Sequence, residues 1–243
     1  MEDKILRIGK SGVEAIEAKY QKLVENIAGA RIPGYRAADV VIRAFPTYLE
    51  AAQGRTYNAG EVAGVDGSYF ENSPGMLQST GISTDVAIEG DGFFVIQGSW
   101  GQGYTRDGRF SVDSEGRLLT VAGNYPVIGE GGPIVLVPGT QFTVDQIGQI
   151  IVNGDVVDKI RVVKFSSNQG LQFVTGSILR GGSNPEVLDT PRVLQGYVET
   201  SNANVVDQMA NMIQLSRIQS LDTKMISARD QMLSKMIEMG RSQ

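Results

Sequence analysis

The sequence predicts an α+β chain in which N- and C-terminal helices form a coiled-coil-like pair, with a central antiparallel β-rich domain between them. Three observations predict it. A seven-residue apolar repeat runs through the beginning of the chain, a second runs through its end, and the middle alternates apolar and polar residues between glycine-rich turns.

The first helix rests on Leu6, Val13, Tyr20 and Ile27, which recur at every seventh residue, with Gly9, Ile16, Leu23 and Ala30 three residues after each. This is the a/d seam of a coiled coil. At 1.5 Å per residue the stretch makes a helix of roughly 37 Å. Pro33-Gly34 ends it, because proline disfavours a helical residue before it and glycine frees the backbone. The last helix, from about Asn204 to Met239, repeats the pattern with Ile218, Met225, Met232 and Met239, and with Leu221 and Ala228 three residues on. Leu215, Ile226, Leu233 and Met236 widen the stripe. Asn204 or Ser201 can cap its start through a side-chain oxygen, and Gly240 lies just past its end.

Between the helices, residues 85–97 read DVAIEGDGFFVIQ. Val86 and Ile88, then Phe94 and Ile96, alternate around Glu89-Gly90-Asp91-Gly92, a pattern that predicts a hairpin. Residues 104–120 carry turns at Asp107-Gly108 and Ser114-Glu115-Gly116. Further strands are predicted over 134–137, 141–144, 149–152 and 159–165. Residues from about 46 to 80 have weak periodicity and many Gly, Asn and Ser. The expected division is an N-terminal assembly helix over 1–35, an extended connector with room for one strand over 36–80, a β domain over 81–195 and a C-terminal assembly helix over 196–243.

The 243 residues include no Cys and no His. A disulfide framework, a thiolate metal site and a cysteine nucleophile are excluded, and the commonest general base and metal ligand are missing. The net charge of −5 leaves no broad basic surface for nucleic acid. No run of 18 apolar residues is present, and no apolar segment follows the charged start, so neither a spanning helix nor a cleaved signal is expected. The stretch from Gly98 to Gly103 lacks a dinucleotide-binding order, and Gly129 to Gly132 has no Lys-Ser or Lys-Thr after it. Asp107, Asp113 and Glu115 miss the spacing of a calcium loop. A strand start and a turn account for Asp85 and Asp91 more simply than a catalytic carboxylate pair. No catalytic residue, metal, cofactor or small-molecule substrate is expected.

A lone amphipathic stripe in water buries almost nothing, so both helices need partners. The candidate assembly interface comprises Leu6, Val13, Ile16, Tyr20, Leu23, Asn26 and Ile27 on the first helix. On the second it comprises Leu215, Ile218, Leu221, Met225, Met232 and Met236. The residues alone also permit a helical pair packed on the chain's own β domain, a discrete interaction module, or a carboxylate hydrolase with helical extensions.

Four strings narrow that choice. Asn26-Ile27-Ala28-Gly29 with Ile32-Pro33-Gly34-Tyr35-Arg36 resembles the N-terminal signature of bacterial flagellar axial proteins. Residues 85–94 resemble the central motif of that family, as does Tyr104-Thr105-Arg106-Asp107-Gly108-Arg109-Phe110. Residues 196–205, GYVETSNANV, resemble its C-terminal signature, continued by Met212-Ile213 and residues 230–233. The sequence differs from the usual motifs at Gly29, Ile32 and Gln219. Among these proteins it is most similar to the basal-body rod subunits, the proximal more than the distal. The resemblance implies a subunit of the hollow rod that crosses the periplasm and passes torque from motor to hook. Its terminal helices would form the inner tube and its β domain the outer layer. Implied partners are other copies or related rod subunits, rod neighbours on the hook and export-gate sides, and the flagellar type III export apparatus, which would deliver the chain without cleavage.

Overall fold

The structure, a computed structural model, describes residues 2–45, 62–71, 73–165, 170–182 and 185–241. Among the described residues the chain forms two helices and seventeen strands. In order they are α1 (Glu2–Gly29), β1 (Ala38–Phe45), β2 (Val62–Phe70), β3 (Leu77–Ser79), β4 (Val86–Glu89), β5 (Phe93–Gly98) and β6 (Gly101–Thr105). Then follow β7 (Phe110–Val112), β8 (Leu118–Thr120), β9 (Phe142–Val144), β10 (Gln149–Val152), β11 (Asp155–Lys159) and β12 (Val162–Lys164). The series closes with β13 (Leu171–Thr175), β14 (Ile178–Gly181), β15 (Glu186–Val187), β16 (Arg192–Gln195), β17 (Tyr197–Glu199) and α2 (Val205–Arg241). Of the expected connector over 36–80, residues 46–61 and 72 lie outside the described residues, and β1, β2 and β3 fall in the remainder.

The chain divides into two compact units, one of residues 1–25, 38–69 and 205–243, the other of residues 26–37 and 70–204. The second unit holds a six-stranded sheet in the order β13-β14-β6-β5-β12-β15 and a three-stranded sheet in the order β11-β10-β9. Two-stranded pairs β16-β4, β17-β3 and β7-β8 complete it, and all these pairings are antiparallel. Its core gathers Phe94, Leu118, Val127, Ile134, Ile150 and Ile160, each essentially sealed from solvent. Phe94 meets Phe110 edge to face at 5.2 Å between centroids, a favoured aromatic geometry.

The β7–β8 hairpin forms where its turn residues predict. Asp113 accepts backbone N–H bonds from Glu115 (2.9 Å) and Arg117 (2.8 Å) on one carboxylate oxygen, and Gly116 takes φ +82°. The hairpin expected around Glu89-Gly90-Asp91-Gly92 does not form. Strand β4 pairs with β16, Ile88 opposite Val193, whereas β5 pairs with β6 and β12. The segment is a corner between two sheets. Val86, Ala87 and Ile88 are all buried, so β4 has no solvent face to alternate against. Gly92 turns the corner at φ +130°, where a Cβ would stand 2.7 Å from Cγ1 of Val162.

The first unit contains the β1-β2 pair, most of α1 and all of α2. Helix α1 buries Ser11, Ala15 and Leu23. Tyr20 lies about 140° round the helix from Ala15, and Val13, Val24 and Ile27 share its side. There Tyr20 is 39% and Val24 46% exposed, and Val13 and Ile27 are half-buried. On α2, Leu215 is buried, but Ile218, Leu221 and Met232 stand exposed.

The two helices therefore do not form the coiled-coil pair that their heptads predict, and the chain is mainly β with a helix at each end. The physical reason lies in the faces. The residues α1 buries, Ser11, Ala15, Leu23 and Asn26, centre about 120° round the helix from Tyr20 and reach the seam only at Leu23, and the apolar residues of α2 are spread around its axis. Ile218 stands about 140° from Ile213, so no single stripe runs the length of the helix.

Two substitutions test the assignment of the core. Phe94→Ala should destabilise the protein by about 3–5 kcal/mol in urea titration. Val137→Ala, at an exposed position, should stay within about 0.5 kcal/mol of the parent.

Candidate assembly surface

The segment that leaves α1 is held by a succession of close contacts. Ile32 N–H donates to the Gly29 carbonyl at 2.9 Å, and Tyr35 N–H donates to that of Ile32 at 3.2 Å. The Tyr35 hydroxyl donates to Asn26 Oδ1 at 3.2 Å, and its ring stacks on Phe173 with centroids 5.7 Å apart. That ring lies directly over Gly29, where a Cβ would come within 2.5 Å of it. The glycine that departs from the usual motif is thus the residue this packing requires. Gly34 adopts φ +68° against the Arg106–Asp107 peptide, and a Cβ there would stand 2.3 Å from a backbone carbon. Its N–H donates to the backbone carbonyl of Glu199 at 2.8 Å.

These contacts surround a buried ionic clamp. Glu199 lies between Arg36 and Arg106, and all three side chains are only 2–3% exposed. Arg36 Nη2 meets Glu199 Oε1 at 2.9 Å, and Gly75 N–H donates to the same oxygen at 2.9 Å. Arg106 Nε approaches Glu199 Oε2 to 3.1 Å, as an ion pair whose angle misses hydrogen-bond alignment. Arg36 also donates to the carbonyl of Ser73, and Arg106 to that of Gly90. Burial lowers the pKa of both guanidinium groups, that of Arg106 to about 10, with Glu199 opposing the shift. Both remain charged at neutral pH. Asn202 adds a neutral tie: its Oδ1 accepts from Ala37 N–H at 2.6 Å, and its Nδ2 donates to the carbonyls of Glu71 (3.1 Å) and Ser73 (2.9 Å). Beside the clamp, Asp107 holds Arg109 through two bonds of 2.9 and 2.7 Å, which raise the Arg109 pKa.

The interface residues predicted from sequence fall into three groups. Leu23, Asn26 and Leu215 are turned inward within the chain itself. Val13, Ile16 and Ile27 are half-buried, while Tyr20, Ile218, Leu221 and Met232 stand out from their helices. The side chains of Leu6, Met225 and Met236 lie outside the described ones. Exposed apolar residues that the heptads do not include are Val24 on α1 and Val206, Met209 and Ile213 on α2, the last three 73, 50 and 57% exposed. The three on α2 sit on other sides of that helix from its heptad residues, whereas Val24 borders the Tyr20 side of α1. No helix among the described residues is long and apolar enough to cross a membrane, so this apolar surface is not that of a spanning segment.

The three strings that meet at the clamp are those around Gly34-Tyr35-Arg36, Arg106-Asp107 and Glu199 to Asn202. Residues 87–152 match the family described as the flagellar hook protein FlgE/F/G D1 domain, and residues 194–239 the one described as flagellar basal body rod FlgEFG protein C-terminal. The chain is 32% identical to the flagellar basal-body rod protein FlgF of Salmonella typhimurium, over 85% of this chain and 86% of that one. The chain belongs to the flagellar basal-body rod protein family. FlgF of Rhizobium meliloti is 30% identical, over 96% of each chain. FlgG of Buchnera aphidicola from Acyrthosiphon pisum is 29% identical, over 96% of this chain and 98% of its own. The protein is accordingly a structural subunit of the rod in the flagellar basal body, FlgF-like or FlgG-like, in a family whose role is structural.

For a rod protein, the clamp explains why these motifs carry charge. Sequence reasoning quoted Arg36, Arg106 and Glu199 without assigning them a task, because they are far apart in the chain and each alone reads as a surface charge. Glu199→Gln should destabilise the second unit by about 3–5 kcal/mol, since it leaves two buried guanidinium groups facing each other without their carboxylate. Denaturant unfolding measures it, and a loss below about 1 kcal/mol would show that the three charges are not coupled.

Proposed function

We propose that this chain is a proximal, FlgF-like rod subunit. Its terminal helices would build the inner tube of a hollow shaft that transmits torque and conducts exported flagellar proteins. The observation that carries the reading is the exposed apolar surface of both helices. Helix α1 has two apolar faces, one buried within the chain and one presenting Tyr20 and Val24. Helix α2 exposes Val206, Met209, Ile213, Ile218, Leu221 and Met232 on several sides. A helix with apolar side chains exposed on several sides can bury them only among neighbours on more than one side, which is the situation of a subunit packed in a tube wall.

The assembly interface on this reading comprises Leu6, Val13, Tyr20 and Ile27 of α1 with Ile218, Leu221, Met225, Met232 and Met236 of α2. Ile16 stands at its edge. The neighbours are other copies or related rod and hook-side subunits. The chain would reach the periplasm through the flagellar type III apparatus, without a cleaved signal. The stretch Tyr125 to Ile134 followed by Val137-Pro138-Gly139, which resembles FlgF more than FlgG, and the FlgF relatives from Salmonella and Rhizobium favour the proximal position. The C-terminal motif and the long match to FlgG keep a distal position as the second reading.

Two experiments separate these claims. Met232→Lys and Leu221→Asp should block rod growth, because a charge inserted between packed helices loses its hydration without a partner. The isolated monomer should keep its stability to within about 0.5 kcal/mol, both sites being exposed. Gln231→Ala should leave basal-body yield and swimming unchanged. Normal rods in the charged variants would remove α2 from the interface. Expression in strains lacking either FlgF or FlgG then decides position, and rescue of the FlgG strain alone would overturn the proximal reading.

A further inference from the structure

The three-stranded sheet of the second unit ends on one side in β9 and on the other in β11. Asp145 N–H donates to the Gln149 carbonyl at 3.0 Å, and Thr143 stands opposite Ile151. In an antiparallel ladder the bonded pairs fall at every second residue. Thr143 therefore bonds to β10, while Phe142 and Val144 turn their peptide groups away from it. An edge of this kind is a template for pairing with another chain. Here one side chain closes it. Gln195, at the end of β16, accepts from Val144 N–H through Oε1 at 3.0 Å and donates from Nε2 to the Phe142 carbonyl at 3.2 Å. Nε2 also donates to the Ser83 carbonyl at 2.6 Å, so the amide is held at both ends. It takes the acceptor and the donor that flank Thr143, as a residue of an added strand would. The edge is otherwise within reach, since Gln195, Phe142 and Thr143 line an open cleft of about 400 Å³. The far edge has no such closure. By the same alternation Ile150 and Val152 bond to β11, and Val156, opposite Ile151, turns its peptide groups outward. Val156 and Val157 are exposed, and among the described residues β11 pairs with β10 alone.

We propose that Gln195 is an edge guard, which denies β9 to strand β11 of a second copy of this chain. A β11-to-β9 contact is heterologous, because each copy offers a different edge, and such a contact can repeat without closing. Copies crowded in a rod would then be drawn together through their β units in an arrangement that competes with packing of the helices. A side-chain amide suits the task. It satisfies the Phe142 carbonyl and the Val144 N–H without adding a strand whose own outer edge would be open in turn.

The test compares variants of the full chain with the parent by sedimentation velocity over a concentration series. Gln195→Ala removes the amide, and Gln195→Asn holds it one methylene short of β9. Both should form larger species at concentrations where the mass of the parent is constant. Adding Val156→Lys, a charge on the open strand, should return each to the behaviour of the parent. In the dilute variants, amide exchange at Val144 should be about tenfold faster, as for the loss of one hydrogen bond, while exchange at Ile151, inside the sheet, stays as in the parent. Variants that associate no more than the parent overturn the proposal. So does association that persists with Val156→Lys, which assigns it to another surface. Release of Ile151 together with Val144 would make Gln195 a support of the sheet rather than a guard of its edge, and overturns the proposal as well.

Discussion

Glu199 stands between Arg36 and Arg106, out of water, and the organisation of the second unit depends on that one carboxylate. Taking three charges from solvent is costly, and a pair or triad of this kind is tolerated only where geometry and further hydrogen bonds complete it. Here the completing groups are backbone: Gly75 N–H on the carboxylate, Gly34 N–H on the Glu199 carbonyl, and the carbonyls of Ser73 and Gly90 on the two guanidinium groups. The close approach explains the glycines. Gly34 has the Arg106 backbone where a side chain would be, and Gly75 has the Thr200 carbonyl. The clamp joins three distant stretches of chain: the residues just after α1, a segment at the end of β6, and the residues just before α2. An all-apolar junction could be as stable, but it would specify the meeting of these segments less narrowly.

The helices follow the opposite principle. Where the clamp draws its contacts from within the chain, α1 and α2 keep large apolar side chains in solvent. Contiguous exposed apolar surface of this kind marks sites of association. In a rod protein the division is mechanically sensible. On the proposed assembly, the β unit is held by contacts within one chain, and the exposed apolar helices would be shared among neighbouring subunits.

The sequence made the elements legible more readily than their partners. The heptads located both helices, because a seven-residue period is a local property. They did not show what the helices pack against. The stripe through Val13 and Tyr20 lies to one side of the face that α1 buries, and α2 has no single stripe. The β7–β8 hairpin was readable from Asp113 to Gly116, whose side chain and glycine act within the turn itself. The corner at Glu89 to Gly92 was not, because glycine and aspartate mark a change of direction without saying which sheet the next strand joins. The motif residues pointed to the family before the fold was known, yet the clamp they build needed the structure. Its members stand at positions 36, 106 and 199, and only their meeting shows that each is buried.

The central claim is that the clamp holds the β unit firmly within one chain, while the apolar helices complete their packing only in the rod. Amide hydrogen exchange on a proven monomer tests it most directly. The account predicts that the N–H groups of Gly34 and Gly75, bonded to Glu199, exchange only on global unfolding, and that those of α2 beyond Leu215 exchange through far easier local opening. Equal, strong protection of α2 in the monomer, or rapid exchange at Gly34 and Gly75, would contradict it.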